Sequence, residues 1–228
     1  MIIGGFQKMT MLDFPGKIAC TVFTYGCNFR CPFCHNASLV IDEAETVSEK
    51  EIMDYLEKRK KMLDGVCITG GEPMLQKGLF DFMKKVKDLG LLVKLDTNGS
   101  FPELLKKAID DGLVDYVAMD IKAPKEKYGE VIGVPGFDIS PIEKSVEILK
   151  NSGIDYEFRT TVVKELHSLD DIIKIGEWLR GSKKYFLQNF VDSGNLIGNG
   201  LSAHEKSTLE AFKQAVFGDF RQCEIRGV

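Results

Sequence analysis

The stretch Gly26-Cys27-Asn28-Phe29-Arg30-Cys31-Pro32-Phe33-Cys34-His35-Asn36 decides how this chain is read. Three cysteines fall within eight residues in the spacing C-x3-C-x2-C, directly after an apolar, β-branched run at Ile18–Thr24. Three thiolates on one short loop can each bind one iron of a cubane cluster and leave the fourth iron without a protein ligand. That iron is then open to a small molecule. A structural zinc site is the other reading, with His35 nominated as fourth ligand. Such sites usually pair two short Cys or His hooks, and no second hook occurs in the chain.

Outward from this loop, short apolar runs alternate with longer stretches of helical spacing. Strands are expected at Ile18–Thr24, Gly65–Thr69, Leu91–Asp96, Val114–Asp120, Tyr156–Val163 and Tyr185–Phe190. Helices are expected at Ser48–Leu63, Gly78–Leu89, Pro102–Asp111, Pro141–Asn151, Leu169–Arg180 and Ser202–Phe217, with a capping box at Ser48 and Glu51. Strict strand–helix alternation implies a parallel sheet with right-handed crossovers. Six such units can curl into an open partial barrel or lie as a doubly wound sheet, and periodicity does not choose between them.

The segments after the strands are the polar ones: TGGEP after the second, DTNGS after the third and DIKAP after the fourth. In parallel α/β folds that edge of the sheet builds the site, so several loops should share it. Asp192–Leu201, rich in Gly and Asn, reads as a flexible loop. The chain has 228 residues, 44% of them apolar and 28% charged, with a net charge of −4. This predicts one domain over residues 1–228. Lysines and arginines are scattered among acids, so no basic face argues for nucleic acid. No run approaches the roughly 20 apolar residues of a membrane span, and the N-terminus carries no signal-like pattern. A cytoplasmic location is expected. Six cysteines, half of them clustered, suit a metal better than a disulfide framework. Cys20 and Cys67 read as small buried apolar residues, and Cys223 receives no role. His167 and His204 lie in polar segments and read as surface residues.

With C-x3-C-x-aromatic-C after the first strand, the chain resembles the radical S-adenosylmethionine superfamily. Gly70-Gly71-Glu72-Pro73 after the second strand resembles that superfamily's glycine-rich element for the methionine end of the cofactor. Two glycines let backbone carbonyls approach a ligand, and Glu72 with those carbonyls can accept from an ammonium group. Asp96, Thr97 and Asn98 after the third strand, and Asp120 and Lys122 after the fourth, resemble elements that the glycyl-radical activating branch places around ribose and the methionine carboxylate. For Asp96 and Asp120, capping of neighbouring amides is an equal reading. Arg159 on the fifth strand and Gln188 with Asn189 ending the sixth would face the same cavity in a barrel. Relatives that activate pyruvate formate-lyase typically carry a histidine near the end of the sixth strand, where this chain has Leu187-Gln188-Asn189-Phe190.

The resemblance implies an open partial (β/α)6 TIM-like barrel, with Cys27, Cys31 and Cys34 holding a 4Fe-4S cluster. It implies reductive cleavage of S-adenosylmethionine to a 5′-deoxyadenosyl radical, with no catalytic side chain beyond cluster and cofactor. Leu12-Asp13-Phe14-Pro15-Gly16-Lys17 and the cysteine loop resemble, more narrowly, the compact activating proteins of anaerobic ribonucleoside-triphosphate reductase. The implied partners are a glycyl-radical enzyme, anaerobic ribonucleotide reductase or a formate-lyase-like enzyme, and a flavodoxin- or ferredoxin-type reductant. A radical enzyme acting on a small molecule, such as a deazaguanine precursor, is the alternative, and a non-catalytic metal-binding module is the alternative from another class. Arg30, His35 and Asn36 flank the cluster loop and either tune a cluster or hold the loop.

Overall fold

The six expected strands form β2 (Ala19–Thr24), β3 (Gly65–Gly70), β4 (Leu92–Thr97), β5 (Tyr116–Asp120), β6 (Asp155–Val162) and β7 (Lys184–Asn189). Two further strands, absent from the sequence reading, flank them: β1 (Ile3–Thr10) and β8 (Gln222–Arg226). The computed structural model describes residues 1–41 and 45–227. All eight strands form one sheet in chain order, with β1 antiparallel to β2 and every other neighbouring pair parallel. Both added strands sit at edges. The glycine pair and polar run of IGGFQKMT, and the short QCEIR, carry no strong strand pattern of their own. Pairing with β2 and β7 supplies the order that local propensity does not.

The helices are α1 (Ala37–Val40), α2 (Glu49–Arg59), α3 (Leu79–Asp88), α4 (Pro102–Asp110), α5 (Tyr128–Val131), α6 (Ser140–Asn151), α7 (Leu169–Leu179) and α8 (Lys206–Val216). The expected capping box at Ser48 is absent, since its side chain makes no capping bond. The box occurs instead at Ser168, which exchanges hydrogen bonds with Asp171 at the start of α7.

Strand order equal to chain order excludes the doubly wound sheet, in which the order reverses at a switch point. Crossovers between neighbouring parallel strands follow the right-handed rule, which collects the helices on one face and leaves the sheet to curl about the other. Strand residues alternate accordingly. Ile68, Leu95, Met119, Phe158 and Leu187 point outward and join helix residues such as Ile52, Phe82, Val146 and Ile175 in one buried core. The alternate positions point inward and carry Thr69, Asp96, Asp120, Arg159, Thr161 and Gln188, which line a cavity at the C-terminal ends of the strands. The result is the expected partial barrel with an added strand at each edge. β1 and β8 do not pair, so the barrel is open between them.

Candidate functional site

The cysteine loop leaves β2 and is tied down from several directions. Gly26 N donates to Leu39 O at 2.7 Å, Arg30 N to Ile132 O at 2.8 Å, and Cys34 N to Cys31 O at 3.1 Å. The Arg30 guanidinium donates to the carbonyls of Cys27 and Phe29 at 2.6 and 2.9 Å, so it holds the loop. Asn36 likewise spans to Gly70 O at 3.3 Å. The segment 192–201 has no helix or strand, as its composition suggests, but it is pinned on this loop: Gly198 N donates to Pro32 O at 2.8 Å and Asn195 Nδ2 to Ser38 Oγ at 3.3 Å.

Cys27, Cys31 and Cys34 all line the cavity. Burial pushes the Cys27 thiol up to about 11 and the Cys31 thiol up to about 12, although the Lys122 charge favours both thiolates. Metal coordination would have to displace these protons, which couples occupancy to pH. Among the described residues no group of three His, Cys, Asp or Glu side chains is already drawn together as a metal-binding group. Three thiols from one short loop, all lining one cavity, supply the donors of a multi-iron cluster in which each sulfur meets its own iron. The donor set fits that group. The amide of Phe29 donates to Cys27 Sγ at 3.4 Å and Asn98 Nδ2 lies 3.9 Å from it, so polar groups are in place to stabilise a thiolate.

The glycines after β3 let this loop and the next approach closely. Gly70 has φ of 110°, and a Cβ on Gly71 would overlap Gly26 O. Both glycines line the cavity, whereas Glu72 is fully buried behind it. Its Oε1 accepts from Met74 N at 3.0 Å and Thr97 Oγ1 at 2.8 Å, and its Oε2 accepts from Asn98 N at 2.6 Å. Glu72 thus braces the β3 and β4 loops against each other, which the sequence did not reveal. Pro73 begins the 3-10 turn Pro73–Leu75 and is buried.

A chain of ion pairs crosses the cavity wall. Arg159 Nε meets Asp120 Oδ1 at 2.9 Å and its Nη1 meets Asp96 Oδ2 at 3.1 Å. Lys122 Nζ lies 3.0 Å from Asp120 Oδ2, and the buried Lys94 closes on Asp96. Burial alone would raise Asp120, but the adjacent Arg159 and Lys122 charges hold it well below the usual carboxylate range. Burial alone would lower Lys122, but the Asp120 carboxylate beside it keeps it above its ordinary value. Three cations against two carboxylates leave one positive charge, and the chain ends opposite Lys94 at Lys122, which lines the cavity beside Phe33 at 5.8 Å. Such a wall favours an anionic group such as a carboxylate. A lysine in the middle of the apolar strand LVKLDT was the available signal for Lys94.

The structure brings together Gly70, Gly71, Asp96, Thr97, Asn98, Asp120, Lys122 and Arg159 around the cavity. Asn189 is not among them. Its side chain turns away and donates to His204 O at 3.2 Å, while Gln188, one residue earlier on β7, faces in. Strand alternation separates the two. His167 is also not on the surface: it is buried, Val163 N donates to its Nδ1 at 3.0 Å, and its Nε2–H donates to Lys122 O at 2.8 Å. This neutral ring buttresses the Lys122 backbone. His204 is half-buried, with Nε2 3.2 Å from His167 O. Cys20 and Cys223 are buried in the outer core, but Cys67 points inward, 3.7 Å from Lys94 Nζ. The His35 ring lies against Phe190 and lines the cavity.

Residues 21–179 match the Radical SAM superfamily. A protein of Methanocaldococcus jannaschii, named provisionally as a glycyl-radical enzyme activating enzyme, is 33% identical over 83% of this chain and 80% of its own length. The pyruvate formate-lyase-activating enzyme of Clostridium pasteurianum is 28% identical over 91% of this chain and 87% of its own. Among solved structures, Streptococcus suis SuiB bound to S-adenosylmethionine superposes with a TM-score of 0.67 at 16% identity, covering 90% of this chain and 49% of SuiB. This chain spans about half of SuiB, and the likeness is one of fold.

Proposed function

Since this chain belongs to the radical S-adenosylmethionine superfamily, whose members use a 4Fe-4S cluster and S-adenosylmethionine, we propose that it installs a glycyl radical on a partner enzyme. In this reading Cys27, Cys31 and Cys34 hold the cluster, and the Gly70 and Gly71 carbonyls receive the ammonium group of the cofactor. Lys122 receives the carboxylate. Asp96, Thr97, Asn98, Asp120 and Arg159 order the wall on which the ribose rests, with Glu72 and Pro73 supporting it from behind. Bound together, cluster and cofactor supply one-electron cleavage of the sulfonium and a radical able to take a hydrogen atom. The chain's own residues bind, orient and shield.

The observation that carries the activase reading is the extent of the match. Both activating enzymes align over at least 80% of either chain, so the likeness extends well beyond the cysteine loop. The open edge between β1 and β8 accords with a polypeptide substrate. One domain over residues 1–228, a cytoplasmic location, a flavodoxin- or ferredoxin-type reductant and anaerobic ribonucleotide reductase as partner belong to the same proposal. Among the described residues no helix is long and apolar enough to cross a membrane.

The test is anaerobic reconstitution with iron and sulfide, reduction by dithionite, and chromatography of 5′-deoxyadenosine with and without a candidate glycyl-radical enzyme. A partner-dependent glycyl radical in the electron paramagnetic resonance spectrum is the expected result. Cofactor cleavage that no partner converts to a glycyl radical would favour a small-molecule substrate, the class on which other relatives act. A reconstituted cluster that cleaves nothing would overturn both.

A further inference from the structure

The cavity lining divides by chemistry. On one side stand the charged groups Asp96, Asp120, Lys122 and Arg159, joined by ion pairs. On the side nearer the open edge stand Thr161 on β6 and Gln188 on β7. These two are direct partners across the sheet, both line the cavity, and among the described residues neither side chain finds a hydrogen-bond partner. The next residue in the same row is Arg226 on the edge strand β8, opposite Gln188. Its charge is spent: the guanidinium meets the Glu157 carboxylate at 2.6 and 2.9 Å and stacks 3.4 Å from the Phe186 ring centre. Two strands from the opening, the barrel thus offers a neutral ledge of one hydroxyl and one carboxamide, each able to donate and accept.

A ledge of this kind cannot neutralise a carboxylate or phosphate. It matches the alternating N–H and C=O of an extended main chain. We infer that Thr161 and Gln188 hydrogen-bond the backbone of the substrate polypeptide beside its target glycine, and so select an uncharged peptide segment over an anionic small molecule. This rests on the activase reading above and adds to it the residues that position the substrate.

The probe is acetyl-Ala-Gly-Ala-amide with both glycine α-hydrogens replaced by deuterium, given to reconstituted holoenzyme with S-adenosylmethionine and dithionite. One Cα–D bond breaks and one C–D bond forms at the 5′ carbon, with the electron supplied by dithionite, so deuterium in 5′-deoxyadenosine counts productive encounters. In Gln188→Leu and Thr161→Val the peptide KM should rise about three- to tenfold, the loss of one hydrogen bond, and rise more than the KM for S-adenosylmethionine. Thr161→Ser, which keeps the hydroxyl, should restore the wild-type peptide KM and so separates hydrogen bonding from packing. An unchanged peptide KM, or a cofactor KM that rises as much, overturns the inference while the activase reading stands. Wild type that cleaves the cofactor but takes deuterium from neither this peptide nor a partner enzyme overturns the activase reading, and the inference with it.

Discussion

Replacing Glu72 with glutamine removes a buried titration at the junction of the β3 and β4 loops. Burial pushes this carboxyl from the ordinary 4.5 up to about 7, against three donated hydrogen bonds that favour its charge. The unfolded chain titrates near the ordinary value, so between the two values the folded protein binds more protons than the unfolded one. Stability therefore falls as pH rises through that window. At about 1.4 kcal/mol per pH unit, the gap from 4.5 to about 7 corresponds to about 3 kcal/mol. The carboxamide of the Glu72→Gln variant cannot ionise. It instead sets an amide N–H against the Asn98 amide, a cost of about 1–3 kcal/mol that does not vary with pH. Urea unfolding of reduced, metal-free wild type and E72Q between about pH 4.5 and 8 isolates the effect, because other titrations cancel in the difference. Wild-type stability minus variant stability should be greatest at the acid end and fall by about 3 kcal/mol by the alkaline end. A difference that is flat or grows with pH would refute the reasoning, since the three hydrogen bonds would then outweigh burial and keep the carboxylate charged throughout.

Three further outcomes are expected. Arg159→Met leaves Asp96 and Asp120 buried without their shared cation and should destabilise the fold by about 3–5 kcal/mol in urea unfolding, whereas a loss below about 1 kcal/mol would show that the pairs are solvent-screened. Gly71→Ala forces a Cβ into Gly26 O, so it should separate the β2 and β3 loops and weaken S-adenosylmethionine binding at least about tenfold by calorimetry; unchanged affinity would mean that the loops re-form at no cost. Cys31→Ala should abolish the visible absorbance of the reconstituted cluster and all 5′-deoxyadenosine production while far-ultraviolet circular dichroism stays native, and undiminished product would remove Cys31 from the ligand set.

Much of this molecule was legible in one dimension. The expected strands and long helices match the observed ones to within a few residues, because apolar period and flanking glycines are local signals. The cysteine spacing, GGEP, DTNG and DIK were equally plain, and their order after successive strands places them on one edge of the sheet. Ser48 shows the limit of that legibility: it has the sequence of a capping box without making one, whereas the Ser168 box goes with an aspartate at the third position.

What only the tertiary structure decided lies in pairing and facing. β1 and β8 exist because a neighbouring strand completes their hydrogen bonds, and no local composition announces a partner far away in the chain. The inward turn of Gln188 in place of Asn189, the buried histidine under Lys122 and the bracing carboxylate of Glu72 each depend on which side of a strand or loop meets another. The sequence by itself determined the elements and the donor atoms available to a site. The choice of an open barrel over a doubly wound sheet required the order of the strands, which is set by long-range packing and crossover handedness and therefore appears only when the chain is folded.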